Sequence, residues 1–267
     1  MADRVRITYL EHSGFAVELG DLLMVFDDAR GAPPPGEGLE QGHVTRAFIA
    51  KHARTFVFVS HGHGDHYDPA VYDWQDIPGV DYVLGCDMDR KLPGRHLAPG
   101  DVLYLPNLTV TAHASTDLGV SYLIDTSGYT FFHAGDLNLW HWRNESTLRE
   151  IEKAEQDWLT AVAPLYGASI DFAFFPVDPR QGSLYDAGAT HFVLQVKPRV
   201  FIPMHWQGRA DVAMEFARRN RDKHTEVVAL TVPGETLVAH RAENGALQMY
   251  VVTPDPIRPE STSAKEE

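Results

Sequence analysis

Residues 60–66, Ser60-His61-Gly62-His63-Gly64-Asp65-His66, follow directly on the apolar run Phe56–Val59. Four potential metal ligands fall within six residues, and the only spacers between them are glycines. Glycine lets the backbone fold tightly enough for all four side chains to converge on one point. Imidazole and carboxylate together suit zinc, manganese or iron. A polar turn with merely solvated histidines is the plain alternative. The density of ligand types in so short a stretch argues against it.

Outward from this segment, the chain alternates short strand patterns with a few helices. Val5, Ile7 and Tyr9 alternate with Arg4, Arg6 and Thr8, and Phe15, Val17 and Leu19 repeat that period. Gly20-Asp21 then marks a hairpin, and Leu22 to Phe26 is an apolar run ending on Asp27. Residues 30–43, with Pro33-Pro34-Pro35-Gly36, read as an irregular surface loop. Asp68-Pro69 reads as a helix start, with Asp68 as cap and proline at the first helical position. Strands are expected at 80–84, 102–105, 108–113, 120–125 and 129–133. A helix over 147–163 carries Leu148, Ile151, Ala154, Trp158, Leu159 and Val162 on one stripe. Thr147 and Glu150 fit a capping box, and Pro164 is expected to stop the helix. Strands at 171–175 and 199–202, helices at 186–197 and 209–219, and strands at 226–231, 235–240 and 246–252 complete the pattern. In the helix at 209–219, Val212, Ala213, Phe216 and Ala217 are expected to face inward. We read one α/β domain over 1–252 and a Pro-, Ser- and Glu-rich disordered tail over 253–267.

Composition narrows the function class. The 267 residues are 44% hydrophobic and 22% charged, which is ordinary for a globular chain with a sizeable core. Lys plus Arg number 23 against 37 Asp plus Glu, a formal net charge of −14. A nucleic-acid binder needs a basic face, so that class is disfavoured, as is a polybasic membrane-surface protein. The single cysteine, Cys86, excludes an intrachain disulfide and a cysteine-built zinc site. The opening MADRVRITYL lacks a long apolar stretch, and no run reaches the length of a membrane span, so a cytoplasmic protein is expected. The unusual count is 14 histidines, histidine being the commonest metal ligand.

His61-x-His63-x-Asp65-His66 resembles the signature of the metallo-β-lactamase superfamily. Four further positions match in chain order. They are Asp27 ending an early strand, His113 in Val110-Thr111-Ala112-His113, Asp136 in Phe132-His133-Ala134-Gly135-Asp136, and His205 in Phe201-Ile202-Pro203-Met204-His205-Trp206. His12-Ser13-Gly14-Phe15, His133-Ala134-Gly135-Asp136 and Ile202-Pro203-Met204-His205 are similar to the ascorbate-6-phosphate lactonase-like group of metal-dependent hydrolases. The resemblance implies a four-layer αββα sandwich, two sheets packed face to face with helices outside, and a site on loops at one edge. It implies two divalent metal ions, zinc first and manganese next. His61, His63 and His113 would hold one, Asp65, His66 and His205 the other, and Asp136 would bridge them. Two metals about 3.5–4 Å apart need more ligands than one four-coordinate site supplies. A water between such cations ionises near neutral pH and would attack a small, anionic substrate, with lactones and phosphate esters favoured. Asp65 is the expected proton carrier.

Weaker candidates surround this set. Asp27 would accept a hydrogen bond from the far nitrogen of a ligating histidine. It precedes Asp28, where many relatives of the group place proline. His12 and His133 are expected to line the pocket or brace the ligands, and Trp140, His141, Trp142 and Arg143 to wall it. Arg143, Arg180 and Arg209 could meet a substrate anion, each with a solvated surface charge as the alternative. The expected partner is a small molecule, with no nucleic acid and no membrane, and a homo-oligomer stays open. Two other readings share the fold. An RNase Z-like nuclease is disfavoured by the acidic chain and by Trp206-Gln207-Gly208 after His205. A mononuclear-iron sulfur dioxygenase would use a similar first motif.

Overall fold

The computed structural model of the protein describes residues 4–220 and 224–254. Residues 255–267, most of the expected tail, lie outside the described residues. The chain first builds β1 (Val5–Glu11), β2 (Gly14–Leu19) and β3 (Leu22–Phe26), a short helix α1 (Arg46–Ile49), then β4 (Arg54–Val59), β5 (Val80–Gly85) and β6 (Arg95–Leu97). It continues through β7 (Val102–Leu105), β8 (Leu108–Ala114), β9 (Val120–Thr126), β10 (Tyr129–His133) and helix α2 (Leu148–Val162). Then come β11 (Phe172–Pro176), α3 (Ala187–Gln195), β12 (Val200–Met204), α4 (Ala210–Arg219) and β13 (Glu226–Val227), followed by β14 (Thr236–Arg241) and β15 (Leu247–Val252). One sheet runs β15-β14-β1-β2-β3-β4-β5-β6 and the other β13-β12-β11-β10-β9-β8-β7.

Strand alternation makes the two sheets face each other. Phe56 and Phe58 of β4 point between the sheets, while Val57 and Val59 point out. Phe15 and Phe26 meet Phe174 across the gap at 4.5 and 5.9 Å between ring centroids, and Phe58 meets Tyr122 at 5.3 Å. Outside the second sheet, Phe192 of α3 stacks on Phe132, and Phe216 of α4 packs on Phe201. Outside the first sheet the cover is thin. It consists of α1 and a 3-10 turn at Pro69–Trp74, whose Ile49, Val71 and Trp74 bury Val25, Val57 and Leu84. Asp68 does cap that turn, accepting a hydrogen bond from the Ala70 N–H at 2.8 Å.

Several expectations shift. Thr147 and Glu150 form the capping box of α2, but Leu148 is 80% exposed and Leu159 45% exposed. Trp158 and Val162 are buried and Ile151 and Ala154 half-buried, as the stripe requires, and Ala161 and Leu165 add to it. Helix α2 does stop ahead of Pro164, at Val162, and the chain continues in a tighter turn. The proline's missing N–H is tolerated at the start of a 3-10 segment, Ala163–Leu165. The strand expected over 226–231 stops at Val227, and the chain then crosses through Pro233-Gly234 to β14. The four-residue α1 and three-residue β6 are too short to leave a periodic signal.

What positions the site is strand direction. β3, β4, β5 and β6 are parallel, as are β10, β11, β12 and β13. Their carboxyl ends open at one edge, where α/β sheets generally bind ligands. The end of β4 is locked there. Tyr122 donates its hydroxyl to the Val59 carbonyl at 2.8 Å, and Val120 N–H donates to the Ser60 carbonyl at 3.1 Å. Gly85 and Gly119 close on that carbonyl so tightly that an added Cβ would stand 2.1 and 2.0 Å from the Ser60 oxygen. Gly119→Ala should therefore cost about 2 kcal/mol or more and lower the melting temperature by roughly 5 °C or more. Gly128→Ala, at a similar backbone angle in open space, should cost clearly less. Equal losses in thermal denaturation would mean that the contact with Ser60 is unimportant.

Candidate metal centre

The site is built on Asp27, which is buried just beyond β3. Its Oδ1 accepts from the Ser60 N–H at 2.7 Å. Its Oδ2 accepts from the Ser60 hydroxyl at 2.7 Å and from His66 Nδ1 at 2.8 Å. These contacts fix tautomers. Ser60 has spent its one proton on Asp27, so its Oγ can only accept from His61 Nδ1, 2.9 Å away. His205 Nδ1 likewise donates to the buried carboxylate of Asp178 at 3.0 Å. His61, His66 and His205 therefore all turn a bare Nε2 the same way.

Those nitrogens converge on Asp136. His66 Nε2 and His205 Nε2 lie 3.0 and 3.2 Å from Asp136 Oδ1, and His61 Nε2 lies 3.5 Å from Oδ2. Two groups of ligand atoms result. His61, His63, Asp117 and Asp136 form one, and His12, Asp65, His66 and His205 the other. In each, one ligand atom per residue lies within 4.8 Å of all the others. Asp136 turns one oxygen to each group. His66 Nε2, His205 Nε2 and Asp136 Oδ1 are buried without a hydrogen-bond partner. Lone pairs that face one another in a buried site need a cation between them. The residues present therefore fit a metal.

Without metal, protons fill that need. Burial opposes a charged His66, but Asp136 and Asp27 outweigh it and push its pKa up to about 10. His205 is raised too, Asp136 and Asp178 overcoming burial. Burial also opposes the charge on Asp136, yet His66 and its neighbours hold it well below the ordinary carboxylate value. Asp65 is lowered first by its contact with His12, whose Nε2 lies 3.4 Å from Asp65 Oδ2.

The structure brings His61, His63, Asp65, His66, Asp136 and His205 together and adds His12. His113 is in neither group. The alternation of β8 buries Val110 and Ala112 between the sheets, so His113 falls on the other face, half-buried. Asp117, four residues on, stands 3.7 Å from His63 Nδ1 and is the fourth member of the His61, His63 and Asp136 group. His133 braces rather than lines the site. Its Nε2 donates to the Ser13 carbonyl at 2.9 Å, and its ring stacks on Phe26. His141 points away, towards Glu155 of α2 at 3.3 Å, and Arg143 is exposed outside the cleft. Trp140 and Trp142, on either side of His141, do line the cleft. Asp28 is buried, accepts from Arg30 N–H, and has its pKa pushed up to about 6 by that burial. Sequence reading missed Asp117 and Asp178. Asp178 precedes Pro179 after a buried strand, the same cap-like signal read at Asp68-Pro69.

No family model matches the chain. A UPF0173 metal-dependent hydrolase of Heliobacterium modesticaldum is 26% identical to it over 258 residues, 87% of this chain and 97% of that protein. Igni18, a novel metallo hydrolase from Ignicoccus hospitalis, superposes with a TM-score of 0.62 at 19% identity, covering 88% of this chain and 98% of that one. The metallo-β-lactamase fold protein YhfI of Bacillus subtilis superposes with a TM-score of 0.56 at 14% identity, covering 93% and 100%. This chain has the metallo-β-lactamase fold. In this metallo-β-lactamase fold the ligand groups come from both sheets, so the packing of the sheets sets the spacing of the site. No described helix is long and apolar enough to cross a membrane.

Two outcomes follow from the hydrogen bonds behind the ligands. Asp178→Ala frees the His205 ring and should weaken metal binding about 10- to 100-fold with the fold intact, read by titration of chelator-treated protein. Metal must also displace the proton on His66, whose pKa is raised to about 10. Uptake should release protons, and affinity should climb as pH rises from about 6.5. An affinity flat over that range would contradict the arrangement.

Proposed function

We propose that this chain is a hydrolase working with two divalent cations on a small anionic molecule, a lactone or phosphate ester. The observation that carries the reading is Asp136. Its two oxygens face separate ligand groups, and Oδ1 and the histidine nitrogens around it are buried without partners. One cation would be held by His61, His63, Asp117 and Asp136, the other by Asp65, His66, His205 and Asp136. Bound there, divalent cations lower the pKa of water towards neutrality and polarise the substrate oxygen under attack. The mixed imidazole and carboxylate donors suit zinc and manganese alike.

The chain's own residues supply the rest. Asp27, Ser60 and Asp178 hold the ligating rings in one tautomer, so no reorganisation is needed during turnover. Asp65 is half-exposed at the cleft, and His12 stabilises its charge. It is therefore the group placed to take the proton released by the attacking water and pass it to the leaving group. The cleft is lined by Asp65, Asp117 and Asp136 with one arginine, which disfavours an RNA backbone as substrate. A second ligand group beside the first favours hydrolysis over the mononuclear-iron reading.

Chelation should abolish hydrolysis of lactones and phosphodiesters, and zinc or manganese should restore it. Asp136→Ala should lose most activity and at least one equivalent of metal. Asp117→Ala should lower metal content while His113→Ala leaves it unchanged. Asp65→Asn should lose more turnover than its loss of metal accounts for. Elemental analysis beside a rate assay checks all four. Full metal and full activity in Asp136→Ala would overturn the proposal.

A further inference from the structure

We propose that the cleft beside the ligand groups recognises an oxyanion, a carboxylate or phosphate carried on a flat apolar body, through Arg180 and the Trp140–Trp142 stack. The inference rests on the hydrolase reading for its reaction, but its binding chemistry can be tested separately.

The cleft has a volume of about 410 Å³, a size that suits a small molecule. Arg180 is the one arginine or lysine that lines it. Its guanidinium is held in place. Nε donates to Asp178 Oδ2 at 2.9 Å and Nη2 to the same oxygen at 2.5 Å. Asp178 is itself fully buried. The guanidinium also lies over the Trp142 ring, 5.6 Å from its centroid. Nη1 has no hydrogen-bond partner among the described residues. A guanidinium fixed on one edge and open on the other loses little entropy when it binds an anion.

The aromatic wall is equally fixed. Trp140 donates its indole N–H to the Asp136 carbonyl at 2.8 Å and packs edge-on against His205. Trp142 stacks on Trp140, with centroids 5.6 Å apart and planes within 5°. Flat ligand groups gain from such surfaces beyond the area they bury. The neighbouring cavity beyond His12, about 470 Å³, contains Arg30. That arginine is spent on the Leu10 and Gln41 carbonyls, His43 and Glu11, so it offers no open anchor. Arg209 is paired with Asp211 on the surface and is not in the cleft.

The test is titration of the zinc-loaded full chain with phenylphosphonate and with inorganic phosphate, followed by tryptophan fluorescence and calorimetry. Arg180→Ala should weaken phenylphosphonate binding about tenfold or more, and Arg180→Lys should recover only part of it. Trp142→Ala should weaken phenylphosphonate several-fold and leave phosphate within about twofold. Zinc content, measured on each variant, separates a lost anion contact from a lost cation, since Arg180 also touches Asp178. Arg180→Ala with wild-type zinc content and wild-type phenylphosphonate affinity would overturn the proposal. Absence of hydrolysis of every ester tried would sink the hydrolase reading and leave this result standing.

Discussion

A buried carboxylate at the end of β3 holds this site together. Asp27 has no solvent to stabilise its charge, and burial alone would neutralise it. His133 and His66 overcome that penalty and keep its pKa below the ordinary carboxylate value. It collects the Ser60 amide, the Ser60 hydroxyl and His66 on its two oxygens. One charge thus joins the ends of two parallel strands and sets the protonation of two histidines. Removing one partner from such a cluster leaves a buried charge uncompensated, which is why the clamp must be complete.

The same logic recurs at Asp178 beneath His205, and at Asp136 where the rings meet. Three buried carboxylates thus alternate with histidines across the gap between the sheets. The backbone is strained to permit it. His12, Asp27 and His205 have φ of 52°, 41° and 60°, a region that non-glycine residues seldom occupy. All three belong to the site. His205 N–H donates to the His12 carbonyl at 3.1 Å, so the first turn of the chain supports one of the last ligands. The sheets act as a rigid frame, and the loops leaving them carry the chemistry.

Much of this was legible in residues 60–66, because a run of ligands separated only by glycine has few other uses. The strand end before it, the capping box of α2 and the order Asp27, Asp136, His205 could also be read from residue order and local pattern. His113, expected among the ligands, lies in neither ligand group. Period 2 puts it opposite Ala112, and a motif match does not reveal which face of a strand it falls on. Asp117 escaped because a single aspartate in a Ser-Thr-Asp-Leu-Gly loop looks like ordinary turn chemistry. His141 and Arg143 followed the aromatics in sequence, but the chain turns their side chains out of the cleft. Asp178 meets His205 only through the parallel pairing of β11 and β12, a contact between positions 27 residues apart.

In the proposed site Asp136 joins two cation positions, each completed by three ligands of its own. The direct measurement is a crystal structure of the metal-loaded protein with anomalous scattering at the metal's absorption edge. Two peaks are expected about 3.5–4 Å apart, both on Asp136, one also on His61, His63 and Asp117, the other on Asp65, His66 and His205. A single peak, or a peak ligated by His113 with Asp117 turned away, would contradict that arrangement.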